Sequence, residues 1–519
     1  MKMPQLRRCE YLGWLKVGMQ VVGIQNVVVK MILGVFLLCL SGISSANPVN
    51  VNNNEQADKH VVGAVCVIRV GEKLVMLSEV ITKKISLPGG YIEPNTTPEE
   101  SAIREALEET GIKVEIAHLI QQRERALIYA CVAQDPILVS TTKDSLGFAI
   151  VESWFAEHFG KEVRRVYLIS PDELKASDYR FPNDKPLLKK WLAITPESAV
   201  DYYSDLSDRV NLLHQLELQL ISQFQHWVKS WPQTQQSIFE TTIAVLNLPG
   251  EVGFIAFLLV VSAVMFGTKG VLRLSIILLS VTFISSVLKL SIGSPRPFYI
   301  VPALKQASAY GFSFPSGHTL IATVLWGLAW YYLTHKRGLL VMFLLLPVAY
   351  FLAFGQAVAR VWYGVHFITD TMASLILGTG MVAIYIAWLN AENNALDDCI
   401  MSKWFWLSLS MFVGFIASFS HAPEHVYLFS VLLGIFLGLD YVSWEPLKRP
   451  LKVGQIIFTA GLFALGAGVI AWVTNWIACQ SSVSLIVLSI RSLGCFLAGI
   501  WLLTGTTLIR KVISTKLVA

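Results

Sequence analysis

Nine apolar runs fill the second half of the 519-residue chain, and they constrain its fold more than any other feature of the sequence. Each run is long enough, or nearly so, to cross a hydrocarbon layer of about 30 Å as a helix. The composition agrees, because 54% of the residues are hydrophobic, only 15% are charged, and the mean hydropathy is +0.56. These values predict an all-α polytopic bundle of membrane helices. The predicted spans are 247–267, 271–291, 317–334, 339–358, 367–389, 403–420, 424–440, 453–474 and 484–508.

The N-terminal segment, residues 1–46, is predicted to be a secretory signal peptide or an uncleaved N-terminal anchor. Basic residues precede an apolar run, Met31–Ile43, and small residues follow it. A polar, Asn-rich linker, residues 47–57, comes next. The Lys and Arg residues in the links between spans fall on one face, which the positive-inside rule makes cytoplasmic. We therefore expect everything ahead of the first span to be exported across the inner membrane.

Residues 58–195 are mixed and charged like a soluble domain. Two apolar, β-branched runs at 61–70 and 73–80 predict strands. Pro98 stands where a helix would begin and Gly111 where it would end. Three carboxylates on that helix share one face, at Glu105, Glu108 and Glu109. Such charges repel one another unless a cation lies among them, and their oxygens suit Mg²⁺ or Mn²⁺. The alternative is a solvated acidic helix face.

This stretch resembles the Nudix box, whose pattern is G-x(5)-E-x(7)-R-E-u-x-E-E-x-G-u. The matching residues are Gly90, Arg104, Glu105, Ala106, Glu108, Glu109, Gly111 and Ile112, and Thr96 stands where the first Glu is expected. The resemblance implies an α/β/α sandwich that cleaves diphosphates linked to another group. It also implies that Glu105, Glu108 and Glu109 hold the divalent cation and that Arg104 orients them. A further downstream Glu often helps in this family, and the choice among Glu152, Glu157 and Glu162 stays open.

The seven cysteines show neither a CxxC pair nor the spacing of a metal site. Cys66 and Cys131 lie in apolar, strand-like runs that can meet in space, but we expect buried free thiols. A disulfide framework and a zinc site are therefore not expected.

Residues 196–242 are predicted to form an amphipathic helical connector. Apolar residues recur there every three or four positions, at Leu206, Val210, Leu213, Leu216, Leu220, Phe224 and Trp227. Trp227 and Trp231, ahead of Pro232, suit a membrane interface. The apolar stripe is either a packing surface or a lipid anchor, and the sequence leaves both alternatives open.

Three groups of polar residues stand beside the membrane spans. They are, in chain order, Lys289 with Arg296–Pro297, then Pro315–Ser316–Gly317–His318, then Arg360, His366 and Asp370. Polar groups at membrane depth indicate a functional site. The three cations can stabilise the charge of a phosphoryl group without a metal. His366 has a carboxylate four residues on, which favours an oriented nucleophile and a phosphohistidine intermediate. His318 would protonate the leaving oxygen and then activate water.

The three groups resemble the motifs of the type 2 phosphatidic acid phosphatase superfamily, which are K-x(6)-R-P, P-S-G-H and S-R-x(5)-H-x(3)-D. Order and spacing hold over about residues 245–390, and the departure is Ala359 in place of Ser. The resemblance implies catalysis by His366, His318 and Asp370 with no cofactor at this site. The implied phosphate-binding residues are Lys289, Arg296, Ser316, Gly317 and Arg360.

The predicted organisation is therefore multi-domain. An exported Nudix-like domain, 58–195, and the connector, 196–242, precede a phosphatase core, 243–390, and further membrane helices, 391–519. We expect a lipid phosphatase at the outer leaflet, with undecaprenyl diphosphate as first choice, ahead of phosphatidylglycerol phosphate and phosphatidic acid. We expect Mg²⁺ or Mn²⁺ in the Nudix-like domain and no nucleic-acid partner. The alternatives are a Nudix-like domain that only binds the head group, or a transporter with vestigial motifs, which Arg491 in the last span would favour.

Overall fold

The computed structural model describes residues 61–391, 395–442 and 453–516. The predicted signal peptide or anchor, residues 1–46, and the linker, residues 47–57, lie outside the described residues. The rest of the chain forms a domain built on a β-sheet, followed by a helical membrane domain. This multi-domain layout confirms the predicted fold class.

Ten strands form one mixed sheet in the N-terminal domain. They are β1 Gly63–Val70, β2 Lys73–Glu79, β3 Ile85–Ser86, β4 Gly89–Tyr91, β5 Val114–Arg123, β6 Ala126–Ala133, β7 Ile137–Lys143, β8 Ala149–Val151, β9 Val163–Ile169 and β10 Val200–Tyr203. The strand order is β10-β7-β8-β9-β2-β1-β6-β5, with β3 beside β2 and β4 beside β1. The two α-helices of this domain are α1 Pro98–Thr110 and α2 Leu188–Ile194.

The two helices cover opposite faces of the sheet. Cys66 of β1 packs in the same core as Ala106 of α1, whereas Val67 packs in the core that contains Trp191 of α2. Successive side chains of a strand point to opposite faces, so adjacent residues of β1 enter the two different cores. This arrangement is the predicted α/β/α sandwich.

Cys66 and Cys131 form a disulfide, so the prediction of free thiols is wrong. Strands β1 and β6 lie side by side and parallel, with Ile68 opposite Cys131. This register brings the Cα atoms of the two cysteines to 5.6 Å although they are 65 positions apart in sequence. That distance suits a disulfide.

Local signals set both ends of α1. The Thr97 side chain accepts from the backbone N–H of Glu100, and the Glu100 carboxylate accepts in return from the Thr97 N–H. Pro98 takes the first helical position, and Gly111 ends the helix in the left-handed conformation with φ 75°. The helix predicted between Pro98 and Gly111 is confirmed.

Two helices, α3 Leu212–Lys229 and α4 Gln233–Asn247, form the connector. Much of its predicted apolar stripe is exposed, since Leu216 is 50% and Trp227 is 60% accessible to solvent. The face of α3 that packs on the protein carries Glu217, Leu218, Ile221, Gln225 and Val228. The exposed members of the stripe therefore do not pack on the described residues of the chain.

The described residues of the membrane domain form ten α-helices. They are α5 Val252–Ile292, α6 Pro297–Ile300, α7 Gly317–Thr334, α8 Leu339–Trp362, α9 Ile368–Leu389, α10 Ala395–Met401, α11 Lys403–Ser420, α12 Pro423–Gly438, α13 Val453–Cys479 and α14 Ser484–Lys516. Among the described residues, seven helical segments are long and apolar enough to cross a membrane. The first of them contains α5, which breaks at Gly267 and so holds both of the first two predicted spans. The third predicted span coincides with α7, which is not among the seven.

Candidate active sites

His366 lies in the turn between α8 and α9, and only 2% of its side chain is exposed. Its Nδ1 is 3.3 Å from the hydroxyl of Ser313 and 3.5 Å from a carboxylate oxygen of Asp370. Its Nε2 is 3.3 Å from a guanidinium nitrogen of Arg296. Because a guanidinium can only donate, Nε2 accepts and the ring proton belongs on Nδ1. Nε2 therefore carries a lone pair suited to nucleophilic attack.

Donors around Asp370 hold its carboxylate in one orientation. The hydroxyl of Ser313 and the backbone N–H of Phe367 both donate to it, the latter at 2.8 Å. One residue earlier, the N–H and hydroxyl of Thr369 donate to the buried carboxylate of Glu217, at 2.7 and 3.1 Å. Helix α3 thereby fixes the first turn of α9. That turn carries Asp370, which lies next to Nδ1 of His366.

Two of the predicted phosphate-binding cations, Lys289 and Arg296, are anchored by the irregular chain ahead of α7. The Lys289 ammonium donates to two backbone carbonyls there, at 2.9 and 3.1 Å. Arg296 donates to two others, at 2.9 and 3.0 Å, and to the carbonyl of Val365 at 2.7 Å. These bonds place the positive charge of Arg296 against Nε2 of His366.

His318, in the first turn of α7, lies on the more accessible side of the site, with 32% of its side chain exposed. Its Nε2 is 3.6 Å from a carboxylate oxygen of Glu251. Asn247 donates to that carboxylate at 2.7 Å and accepts from Arg360 at 3.3 Å, so it links the two predicted residues. A Cβ on Gly250 would lie 2.6 Å from the Cβ of His318, so only glycine allows this approach.

Burial and the neighbouring cationic side chains all lower the pKa of His366. Burial lowers the pKa of His366 well below its usual value, and Arg296, Lys289, Arg360 and His318 lower it further. The imidazole therefore stays neutral, and nucleophilic, at neutral pH. The structure thus brings the residues of all three predicted motifs to one place.

Ser316 and Gly317 begin helix α7. The Ser316 hydroxyl caps the helix by accepting from the N–H of Thr319 at 3.4 Å, and its side chain is fully buried. The amide of Gly317 belongs to the first turn, whose N–H groups lack intrahelical acceptors and can bind a phosphate oxygen. The sequence predicted both residues as phosphate ligands, and the structure engages the Ser316 hydroxyl in the cap.

A cavity of about 420 Å³ adjoins Asp370 on the side of the connector. Asn211, His214 and Thr369 line it together with Phe314. Among the residues described around it, the three predicted phosphate-binding cations are absent from its lining. The cavity therefore adjoins the site at Asp370 and is separate from the three cations.

The second predicted site lies at the N-terminal half of the chain, where Arg104 bridges acidic residues. Its guanidinium lies 2.5 Å from Glu108, 2.8 Å from Glu105 and 3.5 Å from Glu93. A Cβ on Gly90 would come within 2.3 Å of the Glu105 carboxylate, so a larger residue there would displace that carboxylate. The structure therefore groups Gly90 and Arg104 with two of the predicted metal ligands.

His158, in the loop between β8 and β9, completes this acidic cluster. Ligand atoms of Glu105, Glu108 and His158 all lie within 4.8 Å of one another. Glu109 is outside that group, since its carboxylate accepts from the first N–H of β4 at 2.8 Å. Among the three downstream candidates, Glu162 comes nearest, 3.8 Å from Nδ1 of His158. Of the other two, Glu152 is buried and accepts from Trp154, and Glu157 is exposed.

The electrostatics of the cluster fit a divalent cation. Burial raises the pKa of Glu105 and raises the pKa of Glu109 well above its usual value. Neighbouring carboxylates act in the same direction, Glu108 on Glu105 and both Glu105 and Glu162 on Glu109. A cation between them would relieve this repulsion. The two carboxylates suit Mg²⁺ and Mn²⁺ alike, whereas the imidazole is a better ligand for Mn²⁺ than for the harder Mg²⁺.

Four residues of the two sites escaped the sequence analysis, namely Ser313, Asn247, Glu251 and His158. Ser313 offers only a common hydroxyl just ahead of the Pro315 motif. Glu251 had a usable signal, because it is a charged residue inside the first predicted span, 247–267. His158 has no fixed spacing from α1 that could have identified it.

Two family models match the chain. The PAP2 superfamily model covers residues 270–394, and the NUDIX domain model covers residues 59–191. An 8-oxo-dGTP diphosphatase of Escherichia coli (strain K12) is 30% identical over 110 residues, which are 21% of this chain and 75% of that protein.

Solved structures are similar to each part. A NUDIX hydrolase from Nitrosomonas europaea is 20% identical with a TM-score of 0.20, over 30% of this chain and 84% of that one. A transmembrane PAP2 type phosphatidylglycerolphosphate phosphatase from Bacillus subtilis is 23% identical with a TM-score of 0.29, over 35% of this chain and 89% of that one.

Proposed function

Because the chain belongs to the NUDIX family and also carries a PAP2 superfamily domain, it is a phosphoric ester and diphosphate hydrolase, and we propose that its membrane domain is a lipid phosphatase. The observation that carries this proposal is the orientation of the His366 ring and the contacts of its two nitrogens. Its Nδ1 is turned to Asp370 and Ser313, and its Nε2 lies beside the cation of Arg296. These contacts hold the ring proton on Nδ1, so the lone pair for nucleophilic attack is on Nε2, beside a cation that can transfer its hydrogen bond to the phosphoryl group.

In the proposed reaction, Nε2 of His366 attacks the terminal phosphorus and the bond from phosphorus to the leaving oxygen breaks. Lys289, Arg296 and Arg360 stabilise the charge on the transferring phosphoryl oxygens. His318 donates its proton to the leaving oxygen. It then takes a proton from water, which attacks the phosphohistidine and releases inorganic phosphate and free His366.

We propose that the substrate is a lipid phosphate or diphosphate of the outer leaflet, with undecaprenyl diphosphate as first choice. A diphosphate head group is a ligand that both domains can recognise. The disulfide between Cys66 and Cys131 supports an exported NUDIX domain, since such bonds persist in oxidising compartments. Lys84 of that domain also donates to Ser482, which lies between α13 and α14, at 2.8 Å. This contact supports a common membrane face for the NUDIX domain and the loop that joins α13 and α14.

The NUDIX domain is proposed to cleave a diphosphate with Mg²⁺ or Mn²⁺ held by Glu105, Glu108 and His158. The bound cation would neutralise charge on the diphosphate, and Arg104 would keep the two carboxylates in place. The rival proposal, an inactive module that binds the head group, draws on Thr96 in place of the first carboxylate of the box. The transporter alternative loses support, because Arg491 donates to the carbonyl of Ile81 in the NUDIX domain.

The test is phosphate release in detergent from a panel of lipid phosphates and diphosphates, with Mg²⁺ and with a chelator. It compares the wild type with His366→Ala and with the matched variant His335→Ala, whose histidine is exposed between α7 and α8. It also compares Glu108→Gln with Glu157→Gln. We expect release to survive the chelator and to disappear only in His366→Ala. Release that requires Glu108 and the metal but not His366 would show that the NUDIX domain is the catalyst.

A further inference from the structure

Five consecutive residues, 309–313, connect the two domains at the phosphatase site. They lie between the 3₁₀ turn Pro302–Leu304 and α7, in a stretch without strand or helix. The carbonyls of residues 310 and 311 accept from Arg296, and those of residues 312 and 313 accept from Lys289. The position of this 309–313 segment therefore sets the position of both cations.

The remaining carbonyl of the segment is held by the NUDIX domain. Arg165 of β9 donates to the carbonyl of Ala309 at 3.1 Å, and it is only 7% exposed. Its guanidinium also lies 5.5 Å from the ring centre of Tyr299 and 5.7 Å from that of Phe298. The hydroxyl of Tyr299 donates in turn to a carbonyl of the segment at 3.2 Å.

Two more side chains of the NUDIX domain contact the segment. Arg164 lies over the ring of Tyr310 at 4.9 Å, and Phe159 packs edge to face with Phe312 at 5.4 Å. Phe159 directly follows His158 of the acidic cluster, so the loop that completes one site also packs on the other. The NUDIX domain thus contacts the segment at three of its five residues.

We infer that the NUDIX domain is a structural part of the phosphatase site, and that Arg165 is a positioning residue that sets Lys289 and Arg296 through the 309–313 segment. The inference rests on the proposed phosphatase function. An irregular segment whose carbonyls are satisfied by side chains keeps its shape only while those side chains stay in place. A displacement of about 1 Å in a catalytic group can lower a rate by about 100-fold.

The test uses the full-length protein in detergent and measures phosphate release from undecaprenyl diphosphate and from phosphatidic acid. Arg165→Met removes the donor and keeps most of the volume. We expect kcat to fall by between about 10- and 100-fold with KM within about twofold, because Arg165 does not contact the substrate. Arg165→Lys restores one donor and should recover part of kcat. The matched control is Arg123→Met, since Arg123 pairs with Asp184 inside the NUDIX domain and lies away from the segment.

A second variant keeps the test decisive if Arg165→Met does not fold. Phe159→Leu keeps an apolar side chain but loses the edge contact with Phe312, and we expect it to lower kcat as well. Thermal melting of each variant reports whether the fold is kept. A folded Arg165→Met with the kcat of wild type would overturn the inference. If Arg165→Met unfolds, wild-type kcat in both Arg165→Lys and Phe159→Leu would overturn it. Neither outcome would affect the proposed function. Absence of phosphate release from the wild type would instead overturn the proposed function.

Discussion

Removal of the Ser313 hydroxyl is the sharpest test of how the nucleophile is held. This hydroxyl donates to Asp370 and lies 3.3 Å from Nδ1 of His366. Ser313 is fully buried, so water cannot take the place of the lost group in Ser313→Ala. We expect the variant to fold and to hydrolyse its lipid substrate more slowly.

The expected size follows from the contacts. A hydrogen bond to a charged group contributes about 1.5–3 kcal/mol, and about 1.4 kcal/mol is a factor of ten in rate. Full loss of the bond in the transition state would thus lower kcat by about 10- to 150-fold. Asp370 keeps the N–H of Phe367 at 2.8 Å, and His366 at 3.5 Å can move closer. We therefore expect the lower half of that range, about 10- to 40-fold.

The assay is phosphate release in detergent over a range of substrate concentrations. KM should stay nearly constant, because Ser313 acts on Asp370 and His366 and not on the substrate. Ser308→Ala is the matched control, since Ser308 is an exposed serine of the same irregular stretch. A kcat for Ser313→Ala within twofold of wild type, or a defect confined to KM, would refute the reasoning.

Three further predictions concern other parts of the molecule. Burial raises the pKa of Glu109 in the folded protein above its value in the unfolded chain. The folded state therefore binds the carboxyl proton more tightly, and the stability that this proton contributes is lost as the pH rises above the usual Glu range. Glu109→Gln should therefore raise the melting temperature in chelator more at about pH 8 than at about pH 5, whereas Glu157→Gln, at an exposed site, should not. His158→Ala should reduce activation of the NUDIX domain by Mn²⁺ more than activation by Mg²⁺, measured as diphosphate hydrolysis against metal concentration, because imidazole suits Mn²⁺ better. Trp227 is expected to face lipid, so brominated lipids in vesicles should quench less tryptophan fluorescence in Trp227→Phe than in wild type. The control is Trp191→Phe, which removes a buried tryptophan of the NUDIX domain.

Much of the fold was predictable because its signals act over a few residues. Helix α1 begins at Pro98 and ends at Gly111 because a cap, a proline and a left-handed glycine act within one turn of each end. The membrane helices follow from apolar length alone. The phosphatase motifs stand at helix ends, so the spans predicted from hydropathy already placed Ser316 and Asp370 at one face of the membrane.

What escaped prediction depends on contacts between distant parts of the chain. Cys66 meets Cys131 only because β1 and β6 are neighbours, and His158 reaches α1 only through the loop ahead of β9. The apolar stripe of α3 also failed to predict which face of the helix packs on the protein, because that face carries Glu217 and Gln225. The sequence by itself determined the two families, the membrane spans and the motif residues, since local periodicity and spacing encode them. Only the tertiary structure brought Arg165 to the carbonyl of Ala309, because 144 positions separate the two and nothing but packing between domains joins them.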